Sequence, residues 1–138
     1  MALNIDSLSK SIAVLQRSLE VAEAHNDTPD GDLKDTLRSG VIQNFEVAYE
    51  QCWKMMKRWL EMNISSTTAD GVTRRELFRL VAENRMLDDV EQWMRYHEAR
   101  NQTSHIYEPE VAENVYAVTH DFACDSLRFL QALEARND

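Results

Sequence analysis

The sequence predicts an all-α protein, an up-down bundle of about five helices that forms a single domain over residues 1–138. Only three glycines and two prolines occur in the chain, which is too few for a fold rich in turns. Apolar residues also recur at steps of three and four over long stretches, as they do along one face of an amphipathic helix. The connections between these stretches are short, which favours antiparallel packing of neighbouring helices.

The first two helices are predicted from apolar stripes on either side of a chain break. The break is the segment DTPDG at residues 27–31, where proline and glycine favour a turn. The second helix is predicted to run from about Leu37 to Met62, with Trp53 and Trp59 beside its stripe. The stripes consist of Ile5, Leu8, Ile12, Leu15 and Leu19 in the first helix, and of Val41, Phe45, Ala48, Cys52, Met56 and Leu60 in the second.

The other three helices are predicted from their starts and their apolar residues. Thr73 and Glu76 have the spacing of a capping box, in which the threonine hydroxyl accepts the glutamate backbone N–H. A short turn at residues 84–88 separates the third helix from the fourth. Pro109 lies between two glutamates, as the first turn of a fifth helix favours. The stripes are Leu77, Leu80 and Val81, then Val90, Trp93 and Met94, then Val111, Val115, Val118, Phe122, Leu130 and Leu133.

Several classes of protein are disfavoured by composition. The chain lacks a run of about 18 apolar residues, so no transmembrane helix is predicted. Its first residues lack the basic segment and apolar block of a signal peptide. Cys52 and Cys124 lack CxxC spacing, and we predict that both are reduced thiols in the core. His25 and His120 have no metal-ligand spacing with a second histidine or cysteine, so we infer neither zinc nor another cofactor. We expect a cytoplasmic protein.

The charge of the chain is unevenly distributed, which bears on nucleic-acid binding. The net charge is −9, whereas RNA is a polyanion that normally requires a basic surface. Residues 54–100 contain nine of the 15 basic residues and eight acidic ones, a balance of +1, whereas the rest contains six basic and 16 acidic residues, a balance of −10. A local basic patch is therefore compatible with the sequence. The acidic ends are equally suited to repelling RNA or to docking a basic partner protein.

The segment RNQTSHIY, from Arg100 to Tyr107, contains the residues best suited to catalysis. Arginine is permanently charged and its planar fork fits a phosphate, and histidine transfers protons near neutral pH. Arg100 and His105 therefore fit phosphodiester cleavage in RNA, in which the histidine moves protons and the arginine stabilises the charge developing on phosphorus. Along a helix they would be about one and a half turns apart, so they share one pocket only through a local bend or in a dimer.

Most of these residues also have a simpler interpretation. Taken alone, Arg100 and His105 are better explained as part of a solvated turn, in which Arg100 pairs with Glu98 or Glu108. A group of basic and aromatic residues forms either an RNA platform or, more simply, a solvated helix face with core tryptophans. This group comprises Trp53, Lys54, Lys57, Arg58 and Trp59, together with Arg74, Arg75 and Arg79.

Two glutamates and a histidine have the same ambiguity. Glu46 and Glu50 are one turn apart on the second helix, and paired carboxylates can perform acid–base chemistry. Their simpler role is to fix an arginine, either Arg100 or Arg38. His97 lies one turn before Arg100 and either lines the cleft or is an exposed helix histidine. The tyrosines at 49, 96 and 116 are interpreted as core or interface aromatics.

The spacing of Arg100 and His105 resembles the R-x-x-x-x-H motif of the HEPN superfamily (higher eukaryotes and prokaryotes nucleotide-binding). The longer run RNQTSHIYE resembles the HepT-type families, also called nucleotidyltransferase substrate-binding proteins. The resemblance continues in order over residues 38–116, more than half of the chain. It is carried by RSGVIQNFEVAYE at 38–50 on the second helix, then Trp53, Arg75-Glu76-Leu77 and Trp93.

This resemblance implies a function and partners. HepT-like proteins are helical-bundle homodimers, sometimes higher oligomers, whose arginine–histidine motifs face one another in a composite cleft. They are metal-independent RNases, the toxins of type VII-like pairs with a minimal nucleotidyltransferase, the MntA-type antitoxin. That partner transfers AMP from ATP to a tyrosine two residues after the motif histidine. The implied assignments are Arg100 and His105 as catalytic residues, Asn101 as a supporting residue and Tyr107 as the AMP acceptor.

Two further expectations concern assembly and an alternative function. A surplus of large apolar residues on the second and fourth helices predicts a dimer interface. The surplus consists of Trp53, Met55, Trp59, Trp93 and Met94. The alternative to a ribonuclease is a non-catalytic subunit that binds a nucleotide or presents substrate to the nucleotidyltransferase.

Overall fold

A computed structural model describes residues 2–137, and all of its regular secondary structure is helical. The helices are α1 (Asp6–Ala24), α2 (Gly31–Asn63), α3 (Arg74–Glu83), α4 (Val90–Gln102) and α5 (Pro109–Ala135). A single 3₁₀ turn, Thr103–His105, follows α4 directly. The prediction of an all-α bundle of five helices is confirmed.

Helix starts are set by side chains that satisfy the first free backbone N–H groups. Asp30, Thr73 and Asp89 each accept a backbone N–H from the residue three positions later, at 3.1 Å. Thr73 therefore makes the capping bond expected from the sequence. Because Asp30 caps α2, this helix begins several residues before the predicted start at Leu37. Pro109 opens α5, as predicted.

The three long helices pack against one another, and the two short ones cover one side of that group. α1, α2 and α5 are mutually in contact, α4 lies on α5 and α2, and α3 lies on α4 and α2. The two ends of the chain meet, since the backbone N–H and C=O of Leu3 bond to the side-chain amide of Asn137 at 2.7 and 2.9 Å. The face of α4 that packs on this core decides where Arg100 and the other residues of the candidate site lie.

A cluster of buried aromatic rings joins α2, α4 and α5. Phe122 on α5 has its ring centroid 5.0 Å from Phe45, 5.1 Å from Tyr96 and 5.8 Å from Trp93, each in an edge-to-face arrangement. Tyr49 lies at 6.3 Å from the same ring. Edge-to-face pairs at such distances stabilise beyond the effect of burial alone, so the cluster fixes α4 against the other two helices.

Two expectations about buried residues were wrong in part. Met55, Trp59 and Trp93, which we took as a surplus for a dimer interface, are 4%, 7% and 2% exposed and belong to the core of a single chain. Met55 and Trp59 pack there because α2 is contacted by helices on more than one side, and Trp93 packs there because α4 lies against α3 and α5. Cys52 is buried as expected, but Cys124 lies on the exposed side of α5.

No helix within residues 2–137 combines the length and apolarity needed to cross a bilayer.

We expect Phe122→Ala to lower the free energy of unfolding by about 3–5 kcal/mol, because it removes the ring at the centre of the cluster and leaves a cavity. Cys124→Ala on the exposed side of the same helix should change it by no more than about 0.5 kcal/mol. Urea denaturation followed by circular dichroism measures both values. Similar stabilities for the two variants would contradict the central role of Phe122.

Candidate functional site

The residues predicted to be catalytic lie at the end of α4 and in the 3₁₀ turn after it. The buried face of α4 continues through Trp93, Tyr96, Ala99 and Thr103, at steps of three and four residues. Arg100 lies beside this face in the last turn of α4, not in a connecting loop. Its side chain is 34% exposed, so it lies at the rim of the core and faces solvent in part.

Two side chains hold the guanidinium of Arg100. Its Nε lies 3.3 Å from Oε1 of Glu50 on α2, in an orientation that makes an ion pair but not a hydrogen bond. Its Nη1 donates to Oγ1 of Thr103 at 3.2 Å, and the same hydroxyl donates to the Arg100 carbonyl at 2.7 Å. The interpretation of Glu50 as a partner of Arg100 is confirmed, whereas pairing with Glu98 or Glu108 is not observed in residues 2–137.

Glu50 is itself positioned by a tryptophan. The indole N–H of Trp53, one turn further along α2, donates to Oε2 of Glu50 at 2.9 Å. The guanidinium of Arg74, at the start of α3, lies over the Trp53 ring at 3.8 Å from its centroid, a cation–π contact. A continuous chain of contacts therefore runs from Arg74 through Trp53 and Glu50 to Arg100.

His97 bridges α2 and α4 and is not the exposed histidine favoured by the simpler interpretation. Its Nδ1 lies 2.9 Å from the hydroxyl of Tyr49, and its Nε2 lies 3.4 Å from the amide nitrogen of Asn101. Burial lowers the pKa of His97 below its ordinary value, and the positive charge of Arg74 lowers it further. His97 is therefore a neutral ring that orients Asn101, the residue beside Arg100.

His105 and Tyr107 form an exposed pair. Nδ1 of His105 lies 3.3 Å from the Tyr107 hydroxyl, and the side chain of Tyr107 is 74% exposed. Tyr107 also lines a groove of about 310 Å³ between α2 and α5, together with Arg38 and Ile106. Tyr107 is therefore largely open to solvent.

Arg100 and His105 bind different partners in the described chain. In residues 2–137, no hydrogen bond or ion pair joins them, and the side-chain contacts of each go elsewhere. A guanidinium can bind a phosphate in two places at once, and an accessible imidazole can exchange a proton with solvent or substrate. The chain therefore presents both chemical groups at its surface, each with its own contacts.

Sequence reasoning missed part of this site. The bond from Arg100 to Thr103 is a local contact, and the spacing of three residues in a helix would have suggested it. The contacts of Arg74 with Trp53 on α2 and of Tyr49 with His97 on α4 had no such signal. They depend on how α2, α3 and α4 pack, and helix periodicity shows which face is buried but not which helix covers it.

The fold and these residues together define an all-helical bundle of the HEPN class, with an R-x-x-x-x-H segment at the end of its fourth helix. The profile of the family described as "Nucleotidyltransferase substrate binding protein like" matches residues 3–135. A Haemophilus influenzae protein named "Probable ribonuclease HepT" is 33% identical, in an alignment covering 98% of this chain and 94% of that protein. The chain therefore belongs to the HepT-like, nucleotidyltransferase substrate-binding family.

Solved structures agree with this assignment. A Haemophilus influenzae protein described as having the fold of a substrate-binding domain of a nucleotidyltransferase superposes with a TM-score of 0.89 at 31% identity. That match covers 95% of this chain and 99% of the other. A Thermus thermophilus protein superposes with a TM-score of 0.73 at 23% identity, covering 91% and 98% of the two chains, and supports the fold alone.

We expect the ring of His97 to titrate below the ordinary histidine pKa of about 6.5, because burial and Arg74 both disfavour its charged form. Nuclear magnetic resonance titration of the ring protons measures this value. Arg74→Gln should raise it, since one repulsive charge is removed. A pKa at or above the ordinary value in the parent protein would contradict the neutral bridge.

The lowered pKa of His97 also makes the stability of the fold depend on pH. In the unfolded chain His97 takes up a proton at its ordinary pKa, whereas in the folded protein it does so only at lower pH. The free energy of unfolding should therefore fall as the pH drops below about 6.5. His97→Gln should lose less stability between neutral and mildly acidic pH than the parent protein loses. Denaturation curves at the two pH values provide the comparison.

Proposed function

We propose that this chain is the ribonuclease toxin of a type VII-like HEPN–nucleotidyltransferase pair. Arg100 and His105 are its catalytic residues, and Asn101 supports them. The observation that carries the proposal is the fixed guanidinium of Arg100, followed five residues later by the accessible imidazole of His105. This pair lies in a chain that is 33% identical to a protein named as a ribonuclease.

The proposed reaction is a metal-independent transesterification within RNA. His105 removes the proton of the ribose 2′-hydroxyl, whose oxygen attacks the adjacent phosphorus, and the P–O5′ bond breaks as a 2′,3′-cyclic phosphate forms. A proton is returned to the leaving 5′-oxygen by a second histidine or by water. Arg100 stabilises the negative charge on the non-bridging oxygens. Glu50 and Thr103 keep its guanidinium oriented before substrate arrives.

We propose that the active cleft is composite and forms between two copies of this chain. The proposal is supported by the different partners of the two side chains within one copy, since Arg100 contacts Glu50 and Thr103 whereas His105 contacts Tyr107. In a symmetric pair, each copy contributes the same two groups to a shared surface. The second histidine of the reaction is then His105 of the other copy.

Regulation is proposed to occur at Tyr107, by AMP transfer from a partner nucleotidyltransferase. The tyrosine hydroxyl is exposed and lies 3.3 Å from Nδ1 of His105. An AMP group attached there carries a negative phosphodiester and a bulky nucleoside directly beside the imidazole. It repels the RNA backbone and obstructs access to His105, which inactivates the toxin.

A second candidate function is a non-catalytic subunit that binds a nucleotide or presents substrate to the nucleotidyltransferase. The description of the family and that of the Haemophilus influenzae structure favour it. The two functions differ in one observable property. The purified ribonuclease cleaves RNA without a partner, whereas the non-catalytic subunit has no activity alone.

We expect Arg100→Ala and His105→Ala each to reduce the rate of RNA cleavage by on the order of 100-fold or more, because each removes a group that acts in the transition state. Cleavage is measured with a fluorogenic single-stranded RNA in the presence of EDTA. His120→Ala is the matched control, because this histidine pairs with Glu23 on α1 and belongs to another surface. It should leave the rate unchanged.

Two results would contradict the catalytic proposal. One is a His105→Ala protein that cleaves as fast as the parent, and the other is activity that disappears in EDTA. Light scattering on the same samples tests the composite cleft. A cleaving protein that remains a 16.0 kDa monomer at assay concentration would be incompatible with it.

We expect incubation with the cognate nucleotidyltransferase, ATP and magnesium to add AMP, about 329 Da per group, to Tyr107 and to abolish cleavage. Tyr107→Phe should remain folded and nucleolytic but escape this inactivation, because it lacks the accepting hydroxyl. Intact mass and peptide mapping measure the modification. AMP found on another residue, or silencing of the Tyr107→Phe protein by AMP transfer, would refute the assignment.

A further inference from the structure

A pocket of about 350 Å³ lies beside the candidate site, between α2, the start of α3 and α4. Its charged or ionisable side chains are Lys57, Arg74 and His97, and no acidic side chain lines it. Gly71, whose φ of 66° suits glycine, turns the loop that forms one wall. In a protein with a net charge of −9, a pocket lined by basic and neutral side chains alone marks a place for an anion.

The two cations of this pocket lack the partners that usually balance such charges. In residues 2–137, neither Lys57 nor Arg74 takes part in an ion pair. Nε of Arg74 is buried and has no hydrogen-bond partner. Nearby, Arg75 pairs with Glu91 and Arg100 with Glu50, although Nε of Arg100 also lacks a hydrogen-bond partner. Arg74 lines the pocket and its guanidinium has no ion-pair partner in residues 2–137, so the arrangement favours a ligand that accepts from its other N–H groups.

The occupant is better described as a phosphate than as a base. A nucleobase would stack on Trp53, the aromatic ring of the pocket. The guanidinium of Arg74 already lies over that ring, 3.8 Å from its centroid. A guanidinium held in this way still presents its N–H edge to an anion, which is the geometry that recognises phosphate oxygens.

The pocket is linked to Arg100, one of the two proposed catalytic residues, by a chain of side-chain contacts. Arg74 lies on Trp53, Trp53 bonds to Glu50, and Glu50 pairs with Arg100. His97 lines the pocket and also lies 3.4 Å from Asn101. The charges of both Arg74 and Arg100 lower the pKa of His97, after burial. An extended chain bound at Arg100 therefore has this pocket as an immediate neighbour.

We propose that this pocket binds a backbone phosphate of single-stranded RNA next to the phosphate that is cleaved, with Arg74 and Lys57 as its ligands. The inference rests on the proposed function, since it assumes that RNA is the substrate. It accounts for RNA binding by an acidic protein, because the contact is local and made to the backbone. It also implies little preference for base sequence at this position.

The test measures binding of a fluorescein-labelled, single-stranded oligoribonucleotide in which every 2′-hydroxyl is methylated. This probe lacks the nucleophile of the proposed reaction, so binding is separated from cleavage. Arg74→Gln and Lys57→Gln are compared with Arg75→Gln and Arg58→Gln, sequence neighbours that lose the same charge outside the pocket. Fluorescence anisotropy at several salt concentrations gives the dissociation constants, and circular dichroism verifies that each variant is folded.

We expect Arg74→Gln and Lys57→Gln each to weaken binding by on the order of tenfold, as loss of a charge-assisted hydrogen bond does. Each should also reduce the slope of log K against log salt concentration by about 0.7, the value for one phosphate contact on a single strand. Arg75→Gln and Arg58→Gln should bind nearly as the parent protein does. Equal effects of all four substitutions, or no effect of the two pocket substitutions, would overturn the proposal.

A second titration distinguishes RNA from a free nucleotide as the ligand, because the phosphates of both have the same chemistry. ATP replaces RNA in the titration, with the same four variants. Binding of ATP that depends on Arg74 and Lys57, with RNA binding unaffected, would overturn the assignment to RNA and favour the nucleotide-binding subunit. RNA binding that depends on both residues in a protein that never cleaves RNA would support the pocket and refute the ribonuclease. A parent protein that binds no RNA would refute both proposals.

Discussion

The aromatic cluster centred on Phe122 is the interaction on which the candidate site depends. It packs α4 against α2 and α5 through Trp93, Tyr96 and Phe45. Once α4 is fixed in this way, its last turn carries Arg100 to a position beside Glu50. Tyr49 belongs both to the cluster and to the bond with His97, so the core and the site share a side chain.

Glu50 orients Arg100 without sequestering its charge. Both side chains are about one-third exposed, at 34% and 32%, and ion pairs this exposed contribute about 0–1 kcal/mol. Such a weak contact is readily replaced or shared when a phosphate arrives, whereas a fully buried pair would resist it. The glutamate is held by the Trp53 indole, so the guanidinium is presented in one orientation. The main effect of this network is to position the Arg100 guanidinium, not to bind it strongly.

The site combines a rigid part with an exposed part, and the two serve different purposes. Arg100, Thr103 and His97 are fixed by contacts to the core or to neighbouring helices. His105 and Tyr107 lie on an exposed turn and contact each other. The proposed AMP transfer needs access to the Tyr107 hydroxyl, and the proposed composite cleft needs a residue that reaches a second copy. Both requirements favour side chains that the core does not hold.

The sequence by itself determined the number of helices, their buried stripes, the cap at Thr73 and the segment from Arg100 to Tyr107. These features follow from local periodicity and from side chains that act within a few residues of their own position. Only the tertiary structure decided which helices meet. It placed Glu50 on Arg100 and Arg74 on Trp53, buried two tryptophans and a methionine that were expected at an interface, and exposed Cys124. The reason is physical. An apolar stripe specifies that one face of a helix is covered, but the shape and packing of all the helices together specify which helix covers it.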